Sequence, residues 1–136
     1  MKNFETIEHT ADVGGRIYGK DIEELFVNAV KLLYFLAGVK QYQEKTKVIK
    51  IEIKGQTIEE LLVKFLNELI YYMDSKMVGG DIKNLFIEKA NEGFNLYCEV
   101  DGHRISMVRE IKAATYHNIR IKEKNGFFSS EIIFDI

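Results

Sequence analysis

Two aspartates stand where a fold alone gives them little reason to be. Asp12 closes the segment His9-Thr10-Ala11-Asp12, between the strand-like runs Phe4 to Glu8 and Val13 to Tyr18 and just ahead of Gly14 and Gly15. Asp135 interrupts the apolar run Ile132-Ile133-Phe134-Asp135-Ile136, one residue before the sequence ends. A carboxylate beside an α-carboxylate concentrates negative charge. If Asp12 lay close to it in space, three carboxylates would converge, and a hard divalent cation such as calcium or magnesium would relieve their repulsion. The spacing does not dictate that approach. Taken singly, Asp12 reads as a turn residue accepting from backbone N–H groups, and Asp135 as a solvated terminal residue.

The other polar cluster is Lys112-Ala113-Ala114-Thr115-Tyr116-His117, in the most basic part of the sequence, with Arg104, Arg109, Arg120 and Lys122 nearby. On a strand, alternation puts Lys112, Ala114 and Tyr116 on one side and Thr115 and His117 on the other, so they share a pocket only if the strand bends. Solvated strand faces with a hydrogen-bonded Tyr and His are the simpler reading. Asn67-Glu68 reads as the polar face of a helix. The common enzyme signatures are missing: no phosphate loop ending in Lys-Ser/Thr, no Cys-x-x-Cys, no His-Glu-x-x-His and no Gly-x-Ser-x-Gly. Cys98 falls on the apolar face of an alternating strand and reads as a small buried hydrophobe.

These residues need elements to position them. After the two N-terminal strands the hydrophobic period changes from 2 to 3.6. Asp21 and Glu24 form a capping box ahead of Ile22, Leu25, Phe26, Ala29, Leu32, Leu33 and Leu36, and Gly38 closes that helix. Ile49, Ile51 and Ile53 alternate with charged residues as a strand that Gly55 ends. Thr57 and Glu60 then open a second helix with the stripe Ile58, Leu61, Leu62, Phe65, Leu69, Tyr72 and Met73, followed by a Val78-Gly79-Gly80 loop. The two helix starts, GKDIEELFV at 19 to 27 and GQTIEELLV at 55 to 63, are identical at six of nine positions, which suggests a duplicated strand-helix unit.

From residue 80 onward the pattern predicts strands at Leu85 to Ala90, Phe94 to Val100, Glu110 to Thr115, His117 to Lys122 and Phe128 to Phe134. Hairpin turns are expected at Asn91-Glu92-Gly93 and Lys124-Asn125-Gly126. The expected fold is α+β, with two helices packed on one mostly antiparallel sheet in a single domain over residues 1–136.

At 136 residues, 46% hydrophobic and 12% aromatic, the chain has enough apolar material for a substantial core. A net charge of −2 argues against clamping a nucleic-acid backbone by overall charge, though a local basic patch is compatible with it. One cysteine cannot form an internal disulfide, and no apolar stretch is long enough to cross a bilayer. The expectation is a cytoplasmic protein with no membrane partner.

Four separated stretches together resemble one family. His9-Thr10-Ala11-Asp12-Val13-Gly14, then Leu66-Asn67-Glu68-Leu69 with a following Tyr, then Ile111-Lys112-Ala113-Ala114-Thr115-Tyr116-His117, and the end Phe134-Asp135-Ile136 are similar, in order and spacing, to the archeases. The resemblance covers essentially the whole chain. Two positions depart from the pattern: Gly15 stands where an apolar residue is common, and Phe65 where a Trp is frequent.

The resemblance implies a non-catalytic protein that promotes guanylylation and turnover of an RtcB-type RNA-splicing ligase in tRNA exon joining, meeting tRNA only indirectly. It also implies a divalent cation, calcium, held by Asp12, Asp135 and Ile136. His9, Lys112, Thr115, Tyr116 and His117 are left as partner contacts or structural residues. Two other readings stay open at this point. One is a stand-alone metal-dependent phosphoester hydrolase using Asp12 and Asp135, with His117 or Lys112 as acid-base groups. The other is an RNA-binding adaptor using the strands between Lys112 and Lys122.

Overall fold

The computed structural model of the chain describes residues 2–8 and 12–136. Strand β1 (Phe4–Glu8) pairs with β2 (Asp12–Gly19), which leads into helix α1 (Ile22–Ala37). Strands β3 (Lys40–Lys45) and β4 (Ile49–Gly55) precede helix α2 (Ile58–Lys76). The rest is strand: β5 (Val78–Gly79), β6 (Ile82–Lys89), β7 (Phe94–Val100), β8 (His103–Ser106), β9 (Ala113–Ala114), β10 (Lys122–Lys124) and β11 (Phe127–Asp135).

The two helix starts are the same device in sequence and in structure. Asp21 Oδ1 accepts from Glu24 N–H at 2.7 Å and Thr57 Oγ1 from Glu60 N–H at 3.0 Å. Glu24 and Glu60 reach back to the N–H groups of Lys20 and Gln56. Each box satisfies donors that a helix start would leave orphaned, worth about 1 kcal/mol per cap. In both copies the glycine that ends the strand lies against the backbone of the residue six positions on, so a Cβ at Gly19 or Gly55 would collide with Leu25 or Leu61. The likeness is local: β2 lies inside a sheet, whereas β4 lies at an edge.

The two helices pack on antiparallel strands, as the α+β pattern implies, but those strands form three hydrogen-bonded sheets rather than one. Strand β11 runs beside β2 along its whole length, with β1 beyond β2; on its other side it meets β10 at its start and β9 at its end. The remaining sheets, β3-β8-β5 and β4-β7-β6, have corresponding strand orders because the chain passes from one to the other at β3–β4, β5–β6 and β7–β8. They are two halves of one three-stranded ribbon, creased where Thr46–Val48, Gly80–Asp81 and Asp101–Gly102 interrupt the ladders. Thr46 N–H donates to Gly102 O at 2.9 Å and Asp101 N–H to Asp81 O at 2.8 Å across that crease.

Strands β3 and β8 carry no clean apolar alternation, which is why the sequence pattern passes over them; β3 is exposed except near Tyr42. Val78-Gly79, expected as loop, pairs with β8. The N-terminal strands, both helices and the Asn125-Gly126 hairpin fall where the sequence places them, with both turn residues at positive φ.

One apolar cluster draws on both helices and on strands of every sheet. Phe26 of α1 and Phe65 of α2 stack at 6.0 Å between ring centres, and each such fully buried side chain contributes roughly 1.5–3 kcal/mol. Helix α2 buries Val63, Leu66 and Ile70 besides its expected stripe, because strands lie on more than one side of it. Cys98 is buried, and burial pushes its thiol up to about 12, so it is an unreactive part of the core. No helix of the described residues is long and apolar enough to cross a membrane.

Candidate functional site

Pairing of β2 with β11 places Asp12 directly opposite Asp135. Directly opposite residues of an antiparallel pair project from the same face, with Cβ atoms about 4.5–5.5 Å apart. Their neighbours Val13 and Phe134, also opposite one another, are buried in the core, so the two aspartates project from the other face. Why the strands come so close is legible at Gly14, where a Cβ would collide with the carbonyl oxygen of Ile132.

The site is electrostatically incomplete. Like charges directly opposite on a sheet destabilise it. In addition, Asp12 Oδ1 is buried and has no hydrogen-bond partner among the described residues, a condition that costs about 1–3 kcal/mol or more for a charged group. Oxygen donors that repel one another and lack protein partners suit a hard cation. Among the described residues no three His, Cys, Asp or Glu side chains converge. Ile136 follows Asp135 immediately, and its side chain packs against the core, which holds that end of the chain in place.

The segment from Lys112 to Thr115 fastens the same end of β11 from its other side. Lys112 N–H donates to Asp135 O at 2.9 Å, and Thr115 donates through both N–H and Oγ1–H to Ile133 O, each at 2.9 Å. Only Ala113 and Ala114 are strand, where the pattern predicts Glu110 to Thr115, because the outer edge of β9 is taken by a side chain instead of another strand. Asn67 of α2 accepts from Ala114 N–H at 2.8 Å and donates to Ala114 O at 3.2 Å.

Asn67, read from sequence as helix polar face, therefore hooks β9 to the core. A signal was available: an Asn beside Phe65, Leu66 and Leu69 sits next to the buried stripe of a helix interior, where it is a poor helix former. Thr115 is engaged structurally, whereas the side chains of Lys112, Tyr116 and His117 are exposed. His9 lies outside the described residues.

The expected strand from His117 to Lys122 forms only at its end, from Lys122. Asn118 takes a left-handed conformation at φ 55°, and the chain between β9 and β10 swings off the edge of β11. This leaves a concavity of about 630 Å³, lined in part by Arg16, Tyr18, Arg120, Lys122, Ser129 and Glu131.

Comparison with known proteins agrees with this architecture. The family model described as "Archease protein family (MTH1598/TM1083)" matches residues 4–136. "Protein archease" of Pyrococcus abyssi is 34% identical over 144 residues, and that of Pyrococcus furiosus 35% over 145, each covering 100% of both chains. The solution structure of Methanobacterium thermoautotrophicum protein 1598 superposes with a TM-score of 0.77 at 28% identity, covering 100% of both chains. The Thermotoga maritima crystal structure, described as "an archease, possible chaperone", gives 0.69 at 25% identity, covering 96% of this chain and 94% of that one. With a family match over nearly its whole length and relatives this similar, the chain belongs to the archease family.

Proposed function

We propose that this archease is a non-catalytic activator of an RtcB-type RNA-splicing ligase, promoting guanylylation and turnover of the ligase in tRNA exon joining. It does so with a divalent cation, calcium, held by Asp12, Asp135 and the α-carboxylate that a chain ending at Ile136 carries. The observation that carries the reading is the buried Oδ1 of Asp12, opposite Asp135 and without a partner among the described residues. When bound, the cation would neutralise the carboxylates and present positive charge at this end of the sheet. Asp12 supplies a preplaced oxygen and Asp135 a second; the bonds from Lys112 and Thr115, with Asn67 holding β9 beside them, fix the end of β11 that carries Asp135.

The activator reading is tested by reconstitution. Added to an active ligase with GTP, the protein should raise the rate of ligase guanylylation, and no change in that rate overturns the reading. Calcium titration by calorimetry tests the cation separately.

A further inference from the structure

We propose a second site on the same outer sheet face, a binding concavity for the phosphates of single-stranded RNA, formed by Arg16, Arg120 and Lys122 over Tyr18 and Ser129. It lies four to six residues along β2 from Asp12, about 13–20 Å at strand rise, so it is separate from the aspartate pair. Its origin is topological. Strand β11 pairs with β10 through residues 127–129 and with β9 through 134–135. Among the described residues, no strand pairs with 130–133 on that edge.

The loop over the gap is anchored, which makes the concavity a built feature. Ile119 and Ile121 pack against the core, and Ile121 N–H donates to Glu59 Oε2 of α2 at 3.1 Å. Arg120 and Lys122 are left exposed at the concavity, and among the described residues neither forms an ion pair. Arg16 meets Glu131 at 3.5 Å, with both side chains more than a third exposed; such a contact is weak enough for a phosphate to compete.

Three cations against the single carboxylate of Glu131 give the lining a net positive charge, in a chain whose total is −2. The Ser129 and Tyr18 hydroxyls and the Asn118 amide add uncharged hydrogen-bonding groups, and the Tyr18 ring offers a face on which a base can stack. A volume of about 630 Å³ accommodates a nucleotide.

The test is fluorescence anisotropy of a labelled oligouridylate with the full chain over a salt series, with calcium and with EDTA. The expected result is saturable binding with Kd on the order of 10⁻⁴ M at low salt and a log–log salt slope of about −2, the value for about three single-strand phosphates. R120A/K122A, confirmed folded by circular dichroism, should bind about tenfold more weakly with a slope near −0.7. EDTA should change neither. Absent binding, equal binding by the double variant, or displacement of the oligomer by inorganic phosphate at equal concentration would each overturn the proposal. The residues differ from those of the cation site and no ligase takes part, so this site and the activator reading fail independently.

Discussion

Two cross-strand pairs on one face of the β2–β11 ladder, four residues apart, are built on opposite principles. Arg16 faces Glu131, and the two make an ion pair at 3.5 Å. Asp12 faces Asp135, and one of its oxygens is buried with no partner among the described residues. The first pair is complete within the chain and is worth little because both side chains are wet. The second is incomplete among the described residues, and its cost makes sense if a cation completes it. A charge that a fold leaves unsatisfied says more about function than one it satisfies.

The comparison breaks most sharply at the aspartates. Asp12→Asn or Asp135→Asn should weaken calcium binding on the order of a hundredfold and remove the stimulation of the ligase, because each withdraws a charged oxygen donor. Asp135→Lys sharpens the same point, since it makes the pair resemble Arg16–Glu131. It should abolish the calcium response while raising the unfolding free energy measured in EDTA by roughly 0.2–1 kcal/mol.

Next in size is Asn67→Ala. Loss of both bonds to Ala114 should cost about 2 kcal/mol in urea denaturation and loosen the strand that supports Asp135. Extending the chain beyond Ile136 by a few residues should weaken calcium binding about tenfold, about 1.4 kcal/mol, if the α-carboxylate is the third donor. An extended variant with unchanged calorimetric affinity would remove Ile136 from the site. Smallest is Arg16→Ala at the complementary pair, which should shift stability by no more than about 0.5 kcal/mol and leave calcium affinity unchanged.

Much of the scaffold is legible in residue order, for physical reasons that also mark the limits. Helices α1 and α2 announce themselves because cap, period and stop agree: Asp21 with Glu24 at one end and Gly38 at the other, Thr57 with Glu60 at the start of the second. Strands β3 and β8 do not, because each lies in a short half-ribbon and buries few side chains. A crease in a ribbon has no periodic signal. It is set by where Gly80–Asp81 and Asp101–Gly102 fall beside one another in the fold, which local pattern cannot report.

The aspartates illustrate the same limit. Residue types raised the possibility that Asp12 and Asp135 meet, but only the β2–β11 register places them opposite one another. Asn67 reads as helix polar face because a polar residue beside a helix stripe looks solvated, whereas in the fold a strand edge takes its amide. The basic concavity was hidden by an expected strand over residues 117–122 that forms only at its last position.

Calorimetric titration of calcium into the wild-type chain and into D12N tests the central claim most directly. The account predicts saturable one-site binding by the wild type that D12N loses. A wild type that binds no calcium, or a D12N that binds it equally well, would contradict it.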